Sequence, residues 1–84
     1  MKRFLDFYAD WCPPCKAMIP TIKELEKEFT DVEFVEINVD DESEKAKSYG
    51  VMSIPTYVIE EDDKEITRLT GVQQKSIIEK LLRE

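Results

Sequence analysis

The chemistry-bearing residues of this 84-residue chain are concentrated in Trp11-Cys12-Pro13-Pro14-Cys15-Lys16, which holds its only two cysteines. A Cys-x-x-Cys spacing lets two sulfurs meet within one helical turn, so the pair can cycle between a dithiol and a disulfide. Pro13 and Pro14 suit the entrance of a helix, where a fixed φ helps and a missing N–H costs little. Cys12 then falls at the helix N-terminus, where orphan N–H groups and the helix dipole favour a thiolate. Cys15 falls one turn further in. The expectation is a nucleophile at position 12 that is open to solvent and a more covered partner at position 15. Such a pair performs thiol–disulfide exchange: Cys12 attacks one sulfur of a substrate disulfide, and Cys15 resolves the mixed disulfide. The competing readings are a staple across one turn, or half of a metal site shared between two chains. Histidine is absent and there is no third cysteine, so a closed four-ligand zinc site within one chain would need carboxylates.

Asp6 is the next most telling residue. It interrupts Phe4-Leu5 and Phe7-Tyr8, a run that reads as a buried strand, where an ionised carboxylate is costly. Burial is expected to raise its pKa, and a carboxyl beneath the helix start could take the proton of Cys15 and return it. An acid at a strand end reaching water, or pairing with a lysine, is the alternative.

These residues must be held by the elements around them. From Pro14 to Phe29, Met18, Ile22, Leu25 and Phe29 recur at helical spacing, and Pro20 inside that stretch is expected to bend the helix. Val32 to Val39 reads as a strand with Val35, Ile37 and Val39 on one face and Glu36 and Asn38 on the other. Asp41-Glu42-Ser43-Glu44 has capping-box spacing and Gly50 fits the residue past a helix end, which predicts a short helix over Glu42 to Tyr49. Thr56 to Glu60 and Glu65 to Thr70 read as strands joined by the charged turn Glu61-Asp62-Asp63-Lys64. Ile77, Ile78, Leu81 and Leu82 mark the inner face of a last helix from about Gln74. The order is βαβαββα: a right-handed parallel crossover, then an antiparallel hairpin with a covering helix.

A chain of this length, with 42% hydrophobic and 37% charged residues, reads as one globular domain over residues 1–84 and not as a disordered segment. The formal charge of −7 argues against a general nucleic-acid binder. No apolar run is long enough to span a bilayer, and an acid arrives too early after Met1 for a signal-peptide core. A cytoplasmic protein is the expectation, and in that setting a lone CxxC points to catalysis or metal binding more than to a static staple.

With these residues in hand, the chain resembles the thioredoxin family over nearly its whole length. Phe7-Tyr8-Ala9-Asp10-Trp11-Cys12-Pro13-Pro14-Cys15-Lys16 is similar to the family's active-site segment, with Pro13 where glycine is usual. Pro20 matches the family's helix proline. Tyr49-Gly50-Val51-Met52-Ser53-Ile54-Pro55-Thr56 resembles the segment holding its cis-proline, and Thr70-Gly71-Val72 the glycine before the last helix. The resemblance implies a minimal α/β thioredoxin fold, a four-stranded mixed sheet with three helices on its two faces, without the family's usual first strand and helix. It places Val32 to Val39 at a sheet edge and Glu36 where a lysine is common near the buried acid. It implies Cys12 at the surface as nucleophile, Asp6 as the proton-transfer acid, and a cis bond before Pro55. Trp11, Met52, Ile54, Pro55, Gly71 and Val72 would then form a shallow patch for disulfide-bearing protein substrates. No bound cofactor is expected beyond a Cys12–Cys15 disulfide. The expected partners are protein disulfides and an electron donor, thioredoxin reductase or glutathione, with the chain acting as a monomer. A glutathione-coupled glutaredoxin-like protein and a scaffold module using the same fold are the rival functions. Tyr8 and Tyr49 read as packing residues, and Asp40 to Glu44 as capping and solubility.

Overall fold

The computed structural model describes residues 1–84 as seven elements in the expected order. Strand β1 covers Lys2–Tyr8, helix α1 Pro13–Glu28, strand β2 Glu33–Asn38 and helix α2 Ser43–Ser48. Strands β3 (Thr56–Glu61) and β4 (Lys64–Thr70) and helix α3 (Lys75–Arg83) follow. The strands form one mixed sheet in the order β2-β1-β3-β4. β1 and β2 are parallel, which places Asp6 opposite Glu36 and Tyr8 opposite Asn38. β3 runs antiparallel to β1, with Tyr57 opposite Asp6, and β4 antiparallel to β3. β2 is a sheet edge, as the resemblance implied, and its charged Glu33 and Glu36 discourage pairing with other chains.

Alternation along β1 sends its side chains to two different cores. Phe4 packs with Tyr57 and Ile59 of β3, Met18, Ile22 and Leu25 of α1, and Ile78 and Leu82 of α3. Leu5 and Phe7 face the other way, onto Ile37, Val58 and Ala46 of α2. Two helices therefore cover one face and α2 the other, and Asp6, in phase with Phe4, lies on the α1 face. Leu25 is wholly enclosed. Leu25→Ala is expected to cost about 2–5 kcal/mol in chemical denaturation, and a loss below about 1 kcal/mol would contradict close packing there.

The turn between β3 and β4 has left-handed backbone at both central residues, Asp62 (φ 52°) and Asp63 (φ 68°). That is the twist a two-residue hairpin requires, and Asp tolerates it. Gly50 has φ +65° past the end of α2, as a helix-terminating residue should. No helix of the protein is long and apolar enough to cross a membrane.

Two expected details differ. The capping box at Asp41–Glu44 does not form: Glu42 occupies the cap position and makes no side-chain hydrogen bond to α2. Asn38, at the end of β2, organises the turn that leads into α2. Its Oδ1 accepts from the Asp40 N–H at 2.9 Å, and its carbonyl accepts from the N–H groups of Asp41 and Glu42. Ile77 is exposed, unlike Ile78 and Leu82. At roughly 100° per residue, Ile77 is turned about a quarter of the way round the helix from that buried row.

One polar cluster was not legible in the sequence. Glu60 is buried on the α2 face, where it accepts from Tyr49 Oη at 2.5 Å and Arg3 Nη1 at 3.3 Å. The hydrogen bond to Glu60, more than burial, pushes the Tyr49 phenol up to about 12. Tyr49 also packs on Phe7, ring centroids 5.4 Å apart, so it is a packing residue with a polar task besides.

Candidate active site

Topology gathers four loops at one end of the sheet. The C-terminal ends of β1 and β2 point the same way, and antiparallel β3 begins, and β4 ends, at that same end. The residues 9–12, 39–42, 49–55 and 71–74 therefore surround one spot. At its centre α1 begins with prolines in its first two positions, and Cys12 is its N-cap. The two prolines carry no N–H, so the first donor of the helix is that of Cys15. It donates to Cys12 Sγ at 3.2 Å. Cys12 and Cys15 are joined in a disulfide with Cα atoms 5.3 Å apart.

The expected contrast in exposure is not present. Cys12 is 2% exposed and Cys15 7%, so the nucleophile is no more open than its partner. Both cysteines lie in a small apolar cluster with Ala9, against which Tyr8, Val39 and Ile54 pack. A cleft of about 360 Å³ reaches Cys15 and not Cys12; Tyr8, Asp10, Lys16, Ile19, Lys23 and Glu36 also line it. What distinguishes Cys12 is electrostatic: it alone sits at the cap and accepts the helix N–H.

Asp6 lies two residues before Tyr8 on the α1 face, one pleat or roughly 7 Å along the strand from a residue that packs against the cysteine cluster. Its carboxyl is pushed up to about 7, first by burial, then by the like charges of Glu36 and Glu26. Glu36 is its register partner on β2, so the expected proximity of the two acids is found. A carboxyl poised near neutrality can both accept and return a proton.

The remaining predicted site residues divide by exposure. Trp11, Met52 and Val72 are large apolar side chains left open to solvent. Ile54 packs on the cysteine cluster, the Ile54–Pro55 bond is cis, and Pro55 is fully buried. Gly71 has φ +86°, and its N–H donates to the Pro55 carbonyl at 2.8 Å, which ties the β4–α3 loop to the proline. Sequence reasoning missed Asp40: the Trp11 Nε1–H donates to its Oδ2 at 2.8 Å. The available signal was position, because β2 ends beside β1 and the residues after Asn38 must fall next to the loop that carries Trp11. Ile19 and Lys23, in the cleft wall, were also missed.

Fold and site together define a class, the thiol–disulfide oxidoreductases. The chain belongs to the thioredoxin family, whose model, described as Thioredoxin, matches residues 2–84. It is 39% identical over 80 residues to a thioredoxin of Chlamydia caviae, covering 95% of this chain and 78% of that one. It is 40% identical over 78 residues to a thioredoxin of Bacillus subtilis, covering 92% and 75% respectively. Among solved structures, oxidised mitochondrial thioredoxin 3 from Saccharomyces cerevisiae superposes with a TM-score of 0.90 at 36% identity. That match covers 98% of this chain and 76% of the yeast one. Membership makes disulfides the substrates and requires an electron donor.

Proposed function

We propose that this protein is a reductant of protein disulfides in the cytoplasm, acting as a monomer and recharged by a flavin-dependent thioredoxin reductase. The observation that carries the reading is the helix cap: Cys12 Sγ takes the first N–H of α1 from Cys15, which favours Cys12 as the thiolate. In the reduced protein Cys12 attacks a substrate sulfur and expels the other as a thiolate. Cys15 then gives its proton to Asp6 and attacks Cys12, closing the disulfide and releasing the reduced substrate. Trp11, Met52, Ile54, Gly71 and Val72 provide the surface on which the substrate segment lies, and the buried Pro55 supports it from beneath. The backbone N–H and C=O of Ile54 are available to an extended segment added as a strand. No cofactor beyond the disulfide enters this scheme.

The test is reduction of a generic protein disulfide in two coupled systems, one with thioredoxin reductase and one with glutathione and glutathione reductase. Turnover in the first, with little in the second, is the expected result. Turnover with glutathione alone would move the protein to glutaredoxin-like chemistry. Failure of both in a folded protein would leave a scaffold module.

A further inference from the structure

The loops around the disulfide are charged on one side only, and the sheet order shows which. Across β2-β1-β3-β4, the β2 loop carries Asp40, Asp41 and Glu42, and the β1 loop carries Asp10 and Trp11. The loop before β3, residues 49–55, and the loop after β4, residues 71–74, contain no charged residue at all. None of the four loops holds a lysine or arginine. Asp10, Asp40, Asp41 and Glu42 are all exposed, and none makes an ion pair. Lys16 and Lys23 of α1 line the same cleft as Asp10, so the acidic surface clear of bases is that of Asp40, Asp41 and Glu42 after β2. Asp40 is held in place by the Trp11 indole at 2.8 Å, so the acidic side and the exposed apolar side meet at Trp11.

The occupant of this surface is set by the disulfide it surrounds, and the inference rests on the oxidoreductase reading above. We propose that the protein selects disulfide-bearing segments with a lysine or arginine within a few residues of the attacked cysteine, on the side that lies over Trp11. Apolar residues of the segment rest on Met52, Ile54 and Val72, and its cation meets Asp41 and Glu42. Like-charged segments are repelled at encounter. Unpaired surface charges act mainly on the association rate and are screened by salt, so the selectivity resides in kcat/KM and fades as ionic strength rises.

The test uses the reduced full-length chain and three disulfide-linked peptides that differ only in the flanking residue: lysine, glutamine or glutamate. At about 20 mM salt the lysine peptide is expected to react about tenfold faster than the glutamate peptide. At about 0.5 M salt the ratio falls to about twofold or less. The double variant Asp41→Asn, Glu42→Gln reduces the low-salt ratio to about twofold or less, and far-UV circular dichroism checks that it is folded. Equal rates for the lysine and glutamate peptides at low salt, or a ratio the double variant leaves intact, would overturn the inference. The glutamine peptide separates the two levels: if it is not reduced, the oxidoreductase reading itself has failed.

Discussion

Cys12→Ser is expected to abolish disulfide reduction entirely, whereas Cys15→Ser accumulates a covalent complex with its substrate. The two sulfurs are equally enclosed when joined, yet only Cys12 caps α1 and receives its first N–H. With Cys12 gone, the remaining thiol lies within the helix and no cap stabilises its ionised form. With Cys15 gone, attack proceeds but nothing within the chain can resolve the product. Non-reducing electrophoresis and intact mass measure both outcomes. A trapped complex in Cys12→Ser, or none in Cys15→Ser, would reverse the assigned roles.

Asp6→Asn is expected to change both rate and stability, in opposite directions. The carboxyl titrates near 3.8 when unfolded and at about 7 in the fold, raised by burial and then by Glu36 and Glu26. The native state therefore holds a proton that the unfolded chain has lost between those values, so stability falls as pH rises from about 4 to 7 and levels off above. At pH 8 the parent must bury a charge. The neutral amide relieves this and stabilises the fold by up to about 4 kcal/mol. Near pH 4 the two proteins are equally stable. The resolving step responds the other way: without a proton acceptor for Cys15 it slows by about 10²-fold at neutral pH. The parent's rise in resolution rate through pH 7 disappears as well. Urea denaturation at pH 4 and 8, with stopped-flow decay of the mixed disulfide, checks both. A variant no more stable than its parent at pH 8 would show that Asp6 is solvated in the fold.

Most of this architecture was legible in the chain because the patterns that encode it are local. The Met18, Ile22, Leu25, Phe29 stripe, the Asp62-Asp63 turn and Gly50 state their conformations within a few residues. The parallel pairing of β1 and β2 followed once α1 was recognised as a crossover, whereas the approach of Glu36 to Asp6 came from the family resemblance. The errors came where tertiary context decides. Asp41 to Glu44 have the composition of a cap, but no side chain caps α2, and the turn before it is held by Asn38 of β2. Ile77 belongs to an apolar run whose buried row is narrower than the run. Position at the helix start foretold the electrostatics of Cys12 but not its burial, which depends on the loop carrying Ile54. Long-range polar pairs left no trace in sequence: Glu60 with Tyr49 and Arg3, and Trp11 with Asp40, join residues between 11 and 57 positions apart.

The central claim is that helix capping, and not exposure, separates the two thiols. Alkylation of the fully reduced protein with iodoacetamide at pH 7, followed by peptide mapping at short times, measures that separation directly. Cys12 is expected to be modified at least about tenfold faster than Cys15. Equal rates, or modification of Cys15 first through the cleft that reaches it, would contradict the account.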